Sequence, residues 1–280
     1  LFDAFGQSSI SQMGNVEQVI KPRFSIVLVN YKTHDLTKIC LDLLHDHVTK
    51  AGIPVWVVDN DSADASVEYL RSLDWINLIE RESPGKELGH IAHGKALDMA
   101  LARINTDYLF LMHTDTFVFD ARVFAMMMDY CERDAKVVAV GCTEQLNRGL
   151  VRTAWRFSSR FAKHHVRRMK QSLGLRSKDP KPYREVHLKS FCTLWNTKRM
   201  KQQGLHFQLD DRVPGYTLQD RMIDLGYKVV FLSPGKIFKY LDHIQSGTVS
   251  AAGGYGENHR RTKMYEDILK RFDGMKSSTS

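Results

Sequence analysis

Hydrophobic positions along the chain fall in short unbroken runs. Phe24-Ser25-Ile26-Val27-Leu28-Val29-Asn30, Val55-Trp56-Val57-Val58, Tyr108-Leu109-Phe110-Leu111-Met112 and Val137-Val138-Ala139-Val140-Gly141-Cys142 are the clearest. Runs this short and this apolar predict strands covered on both faces. A weaker strand lies at 76–79, a strand-like run at 188–195 and a further strand at 227–234. Between them apolar residues recur at helical spacing. Leu36, Ile39, Cys40, Leu43 and Leu44 predict a helix over about 35–50, with others near 65–73, 94–103 and 121–132. The helix at 121–132 presents Val123, Phe124, Met127, Met128 and Cys131 as core packing. Pro84, Gly85, Gly89 and Gly94 predict a loop over 82–95. Strands alternating with helices predict an α/β fold with a mostly parallel, Rossmann-like sheet and right-handed crossovers.

Ligands of such sheets bind at the carboxyl ends of the strands. The first strand ends in Asn30-Tyr31-Lys32-Thr33, the second in Asp59-Asn60-Asp61-Ser62, and the run at 108–112 in His113-Thr114-Asp115. Asn30, Asp59 and Asp115 are therefore expected along one crevice. Residues two apart in extended backbone point the same way, so two readings are open for His113 and Asp115: a pair facing one ligand or cation, and a polar strand end turning into a loop. A hard divalent cation takes carboxylate oxygens and leaves positions for phosphate oxygens.

Composition narrows the class. Hydrophobic content of 43% and charged content of 26% over 280 residues describe an ordinary soluble globular chain. No apolar run approaches the ~20 residues of a membrane span, and the first twenty residues lack the pattern of a signal peptide. A start at Leu1 reads as a fragment or processed form, with a fused neighbouring domain compatible with it. Cys40, Cys131, Cys142 and Cys192 are widely spaced and read as buried thiols in a reducing compartment. The net charge of +8 points to an anionic partner.

Much of that charge is concentrated in one place. Residues 148–184 hold twelve Lys/Arg and one acid, Asp179. Arg148, Arg152, Arg156 and Arg160 recur at helical spacing, while Trp155, Ala162, Val166, Met169 and Leu173 form a stripe on another face. Two readings are open here: an interfacial or anionic-acceptor element, and a solvated basic face packed on the domain through its stripe.

The order of these motifs resembles the GT-A fold of family 2 glycosyltransferases, closest to the bacterial rhamnosyltransferase-like branch, over about residues 23–245. The motifs that carry it are Val-Asn-Tyr at 29–31, Val-Asp-Asn-Asp-Ser at 58–62, a glycine-containing loop, and a strand followed by His-Thr-Asp-Thr at 113–116. The resemblance implies a glycosyltransferase domain over 22–248, with a donor half to about 120 and an acceptor half beyond it. Residues 1–21 are then a leader or linker, and 249–280 a Gly-rich loop, a basic helix and a disordered tail.

For the site, the resemblance implies that Asp115 binds Mg2+ or Mn2+ bridging the donor's two phosphates, with His243 of the Asp-His-Ile-Gln-Ser-Gly-Thr element as a second ligand candidate. Asp59 contacts the base or ribose and Asn30 lines the base pocket. His93 and Lys95, in the loop at 89–95, lie near the donor, with His90 comparable. Relatives carry another Asp or an Asn-Pro where this chain has His113 and Thr114; both are expected at the donor, with three roles open for His113: metal ligand, hydrogen-bond partner of the donor sugar, or cap of the loop. The block at 207–221 resembles one whose final Asp is the base of inverting members, which implies Asp220 first and Asp211 second, with Gln219 in the usual place of Glu. Pro214 is read as the first residue of the helix carrying Asp220. One base without a covalent intermediate implies a single displacement with inversion.

The expected activity is transfer from a UDP-, dTDP- or GDP-linked sugar to a glycan or lipid-linked acceptor. Bacterial surface polysaccharide synthesis at the inner face of the cell membrane is the expected setting, with the chain cytoplasmic or peripheral. A nucleotidyltransferase would carry a Gly-rich basic loop after the first strand, and a dinucleotide oxidoreductase a Gly-x-Gly-x-x-Gly; neither is present. The remaining alternative is a non-catalytic basic protein binding nucleic acid or lipid on a degenerate transferase scaffold, with salt-sensitive binding as its signature.

Overall fold

The computed structural model describes residues 22–83, 85, 87–147 and 149–244, together with 266–268, 270, 272 and 274. The expected leader at 1–21, Arg148, Gly247-Thr248, the glycine-rich stretch after Ser250, and most of the expected basic helix and tail lie outside these residues.

Seven strands form the main sheet: β1 (Phe24–Asn30), β2 (Val55–Asp59), β3 (Ile76–Glu80), β4 (Tyr108–His113), β6 (Val137–Cys142), β7 (Cys192–Asn196) and β8 (Lys228–Leu232). Their order is β3-β2-β1-β4-β7-β6-β8. All neighbours run parallel except at β7, which is antiparallel to both β4 and β6. A two-stranded ladder, β5 (Thr116–Val118) with β9 (Leu241–His243), stands beside the sheet.

The continuous apolar runs are buried on both faces, and the alternation of side chains divides the core in two. Ile26, Leu28, Phe110 and Met112 pack on one face with α1 (His34–Thr49) and α4 (Arg122–Arg133). Ile268 and Phe272 join that layer. Val27, Val29, Leu109 and Leu111 point the other way, onto α3 (Gly89–Arg103) and α7 (Tyr216–Asp224). The four cysteines are free and buried, as their spacing implied.

Two boundaries differ from the sequence reading. The segment at 89–95 is not a loop but the first two turns of α3, entered from the extended Leu88. Gly94 serves there as a close-approach residue, because a Cβ at this position would lie 2.0 Å from Gln208 Oε1. Pro214 does not open α7 either: Gly215, at φ +84°, takes the left-handed conformation and the helix begins at Tyr216.

The remaining named helices are α2 (Ala65–Arg71), α5 (Gly149–Ser172) and α6 (Thr197–Gln202), with the short α8 (Pro234–Ile237) after β8, and the described residues between 266 and 274 are helical too. Helix α5 contains no side chain that is both described and buried, and its stripe is open: Trp155 is 76% and Leu173 65% exposed. The reading in which this stripe packs on the domain is therefore corrected.

Candidate active site

β1 sends its crossover to β2 on one side and has β4 on the other, so a topological switch point lies at their carboxyl ends. Val29 pairs with His113 there. Because β7 is antiparallel, it delivers its beginning to this edge, and His113 N donates to Phe191 O at 3.3 Å. A cleft of about 900 Å3 opens over the edge. Tyr31, Asn60, Asp61, Arg81, His93 and His113 line it, with Gln145 and Ser190 on the far wall.

His113-Thr114-Asp115 forms the tight link from β4 to β5. His113 Nδ1 lies 3.7 Å from Asp115 Oδ1, so the two residues face each other as expected, but across a turn at Thr114-Asp115 and not along extended backbone. The β5–β9 ladder pairs Thr116 with His243 and brings His243 Nε2 to 3.2 Å from the same oxygen. Among the described residues these three side chains form a cluster whose ligand atoms all lie within 4.8 Å of one another. Asp115 and His243 are buried, whereas His113 reaches the cleft.

Hydrogen bonding sets the tautomer of His243. His243 Nδ1 lies 2.9 Å from the Gln145 carbonyl, which only accepts, so this nitrogen carries the proton. In the neutral ring the lone pair is then on Nε2, which has no hydrogen-bond partner and faces a carboxylate oxygen. Two lone-pair atoms at this separation repel unless a cation lies between them. His113 Nε2 is 2.7 Å from Ser190 Oγ, a hydroxyl that can donate or accept, and Nδ1 is the ring nitrogen turned toward Asp115. Burial pushes the His113 imidazole down to about 4, with Asp115 opposing and His243 reinforcing, so it is neutral near pH 7. Two imidazole nitrogens and one carboxylate oxygen fit a divalent transition metal.

The other expected donor residues are placed differently. Asn30 and Asp59 belong to a buried network beneath the cleft rather than to its lining. Asn30 Nδ2 donates to Asp59 Oδ1 at 2.7 Å, and Ser62 N and Oγ donate to the same carboxylate. Thr114 Oγ1 meets Thr33 Oγ1 at 3.1 Å and ties β4 to the start of α1. Lys95 turns to Glu87 at 2.6 Å. His93 does line the cleft, with its ring edge-on to His113 at 5.7 Å.

Neither candidate base lines this cleft. Asp220 Oδ1 lies 2.9 Å from His187 Nε2, and Oδ2 accepts from Arg212 at 2.8 Å. Burial raises its pKa, but these hydrogen bonds outweigh burial and hold the carboxyl below its usual range. Asp211 is exposed at the mouth, where its carbonyl lies 3.3 Å from His90 Nε2. Gln219 is buried: it accepts from Leu188 N and donates to Val186 O.

Sequence reasoning missed Arg81, Gln145 and Ser190. Arg81 is buried, donates to Asn60 Oδ1 at 2.7 Å and also binds Glu87. Arg81 directly follows β3 and Gln145 lies three residues past β6, both parallel strands, so the strand-end rule applied to every strand finds them. Ser190 required the reversed direction of β7.

The fold is similar to that of the mannosyltransferase PcManGT from Pyrobaculum calidifontis, solved in complex with GDP-Man and Mn2+. The TM-score is 0.55 at 14% identity, over 91% of this chain and 70% of that one. It is also similar to S. aureus TarS 1–349, with TM-score 0.50 and 14% identity over 82% of this chain and 63% of that one. No curated protein matches the sequence. The fold is of the GT-A type, a mostly parallel sheet flanked by helices. The sequence model for glycosyl transferase family 2 matches residues 25–191, more than half of the chain, and the chain belongs to that family.

Proposed function

We propose that this chain is an inverting, divalent-metal-dependent glycosyltransferase that moves a sugar from a nucleotide-diphosphate donor to a glycan or lipid-linked acceptor. The observation that carries the reading is the convergence of His113, Asp115 and His243 at the switch point of the sheet. A cation held there stabilises, as a Lewis acid, the charge that develops on a diphosphate leaving group. Gln145 and Ser190 orient the two imidazoles through their outer nitrogens. Asn60, Asp61 and Arg81 offer polar groups for the nucleotide at the cleft wall. Asn30 and Asp59 hold the ends of β1 and β2 in register beneath it.

The acceptor hydroxyl needs a base as it attacks the anomeric carbon. Asp220 is the first candidate and Asp211 the second. The domain division at about residue 120, the rhamnosyltransferase-like branch, and a place in bacterial surface polysaccharide synthesis at the inner membrane face belong to the same reading. The open basic helix α5 supports peripheral membrane association, and among the described residues no helix is long and apolar enough to cross a membrane.

The test is calorimetric titration of UDP, dTDP and GDP, each with Mn2+ and with EDTA, into the wild type and Asp115→Ala. One diphosphate is expected to bind only with metal and only to the wild type. Binding of none of them under either condition removes the reading.

A further inference from the structure

A second cavity, of about 450 Å3, lies between α5 and the segment 181–187, away from the metal cluster. Its lining draws together Arg160, Lys163, Arg167, Lys181 and Arg184, with Glu185 as the sole carboxylate. That carboxylate is already shared, accepting from Arg160 at 2.8 Å and Lys189 at 3.1 Å. Among the described residues no ion pair engages the other four cations. Arg167 donates only to the Asp179 carbonyl at 3.3 Å, and Arg184 lies over the Phe157 and Tyr183 rings. Like charges brought together without counter-charge repel, and guanidinium groups in such a cluster match phosphate oxygens in geometry as well as charge.

The cavity also leads to the proposed reaction centre. It shares Arg160, Glu185 and Tyr216 with a neighbouring cavity of about 300 Å3. That neighbour shares Gln145, Ser190, Val213 and Pro214 with the cleft over His113. His187 stands on the wall of the cationic cavity, stacked on Tyr216 at 4.1 Å and bonded to Asp220.

We propose that the cationic cavity under α5 binds a phosphate group of the acceptor, so that the acceptor is a phosphate-bearing molecule whose hydroxyl reaches toward Ser190. The inference rests on the transferase reading for the word acceptor, while the phosphate site stands on its own lining. Two sources supply such a group: the phosphate of a membrane lipid, or that of a water-soluble phosphorylated glycan.

The experiment titrates inorganic pyrophosphate into the full chain in EDTA, which keeps a metal-dependent donor site from holding it. The wild type is expected to bind. The double variant Arg167→Gln/Lys181→Gln is expected to bind roughly a hundredfold more weakly, about tenfold for each charge-assisted hydrogen bond removed. Lys163→Gln, a single exposed change, is expected to weaken binding in the same direction. Asp115→Ala is expected to leave pyrophosphate binding in EDTA unchanged. Retained Mn2+-dependent nucleotide binding in the double variant shows that it is folded.

Pyrophosphate binding that survives the double variant, or that disappears in Asp115→Ala, overturns the proposal. Failure of the transferase reading looks different: no nucleotide binds with metal, while pyrophosphate still depends on Arg167 and Lys181. Competition against pyrophosphate by phosphatidic acid vesicles but not by a soluble hexose phosphate identifies the lipid source, and the reverse result the soluble one. Competition by neither overturns the phosphate assignment.

Discussion

His243 Nε2 stands 3.2 Å from Asp115 Oδ1, with its other ring nitrogen fixed against the carbonyl of Gln145. In the neutral ring a lone pair is thereby aimed at a carboxylate, an arrangement that a divalent cation would convert from repulsive to cohesive. Asp115→Ala and His243→Ala are each expected to weaken metal-dependent nucleotide binding by roughly a hundredfold or more, at or above what loss of an outer-shell partner costs. With two imidazoles in the set, Mn2+ is expected to support binding at least about tenfold better than Mg2+. Equal support by the two ions in a titration would argue against the two-histidine site.

The base assignment separates by kinetics. Asp220→Asn removes the negative charge and replaces one of the two carboxylate oxygens facing His187 and Arg212 with an NH2 group, and is expected to lower kcat by roughly 10²–10⁴ with donor affinity little changed. Asp211→Asn is expected to lower kcat far less. A transfer assay in which Asp211→Asn is the more damaged variant reverses the assignment.

His93 gives the fold a pH dependence. Burial, and to a lesser extent the nearby His113, push its imidazole from the ordinary 6.5 down to about 3. Between these values the unfolded chain binds a proton that the folded chain refuses, so stability is full above about pH 6.5 and falls as pH is lowered. The Tm at pH 5 is expected to lie below that at pH 7, with a smaller difference in His93→Gln. Thermal melts with the same pH slope in both proteins would exclude His93 as the cause.

Gly94 tests the approach of α3 to the segment at 208. Alanine in a helix interior ordinarily gains close to 1 kcal/mol over glycine. Here its Cβ would stand 2.0 Å from Gln208 Oε1 and 2.9 Å from Gln208 Cβ. Displacing that side chain at its root reverses the sign, and Gly94→Ala is expected to cost about 1–3 kcal/mol. A denaturant midpoint at or above that of the wild type would show that Gln208 simply turns away.

Helix α5 carries seven Lys/Arg and no Asp or Glu, with an open apolar stripe that includes Trp155 and Met169. Sedimentation with anionic vesicles is expected to capture the chain at low salt, less at high salt, and much less for Trp155→Ser/Met169→Ser. Equal capture by neutral vesicles would assign the attachment to something other than the basic face.

By itself the sequence determined the strands of the main sheet and most of the helices, because uninterrupted apolar runs such as 108–112 have few ways to bury both faces; the short β5 and β9 were not legible. It also pointed to His113 and Asp115 as neighbours at one strand end, although the contact is made across the turn at Thr114-Asp115 and not along the extended backbone that the spacing argument assumed. What only the tertiary structure decided were relations between distant segments. The reversal of β7, which brings Ser190 to His113, depends on which strand edges remain free. The ladder that sets His243 against Asp115 depends on where β9 closes. Whether the stripe of α5 is covered depends on what stands opposite it. Local patterns fix which face of an element is apolar, but the partner of that face is chosen by the packing of the whole chain.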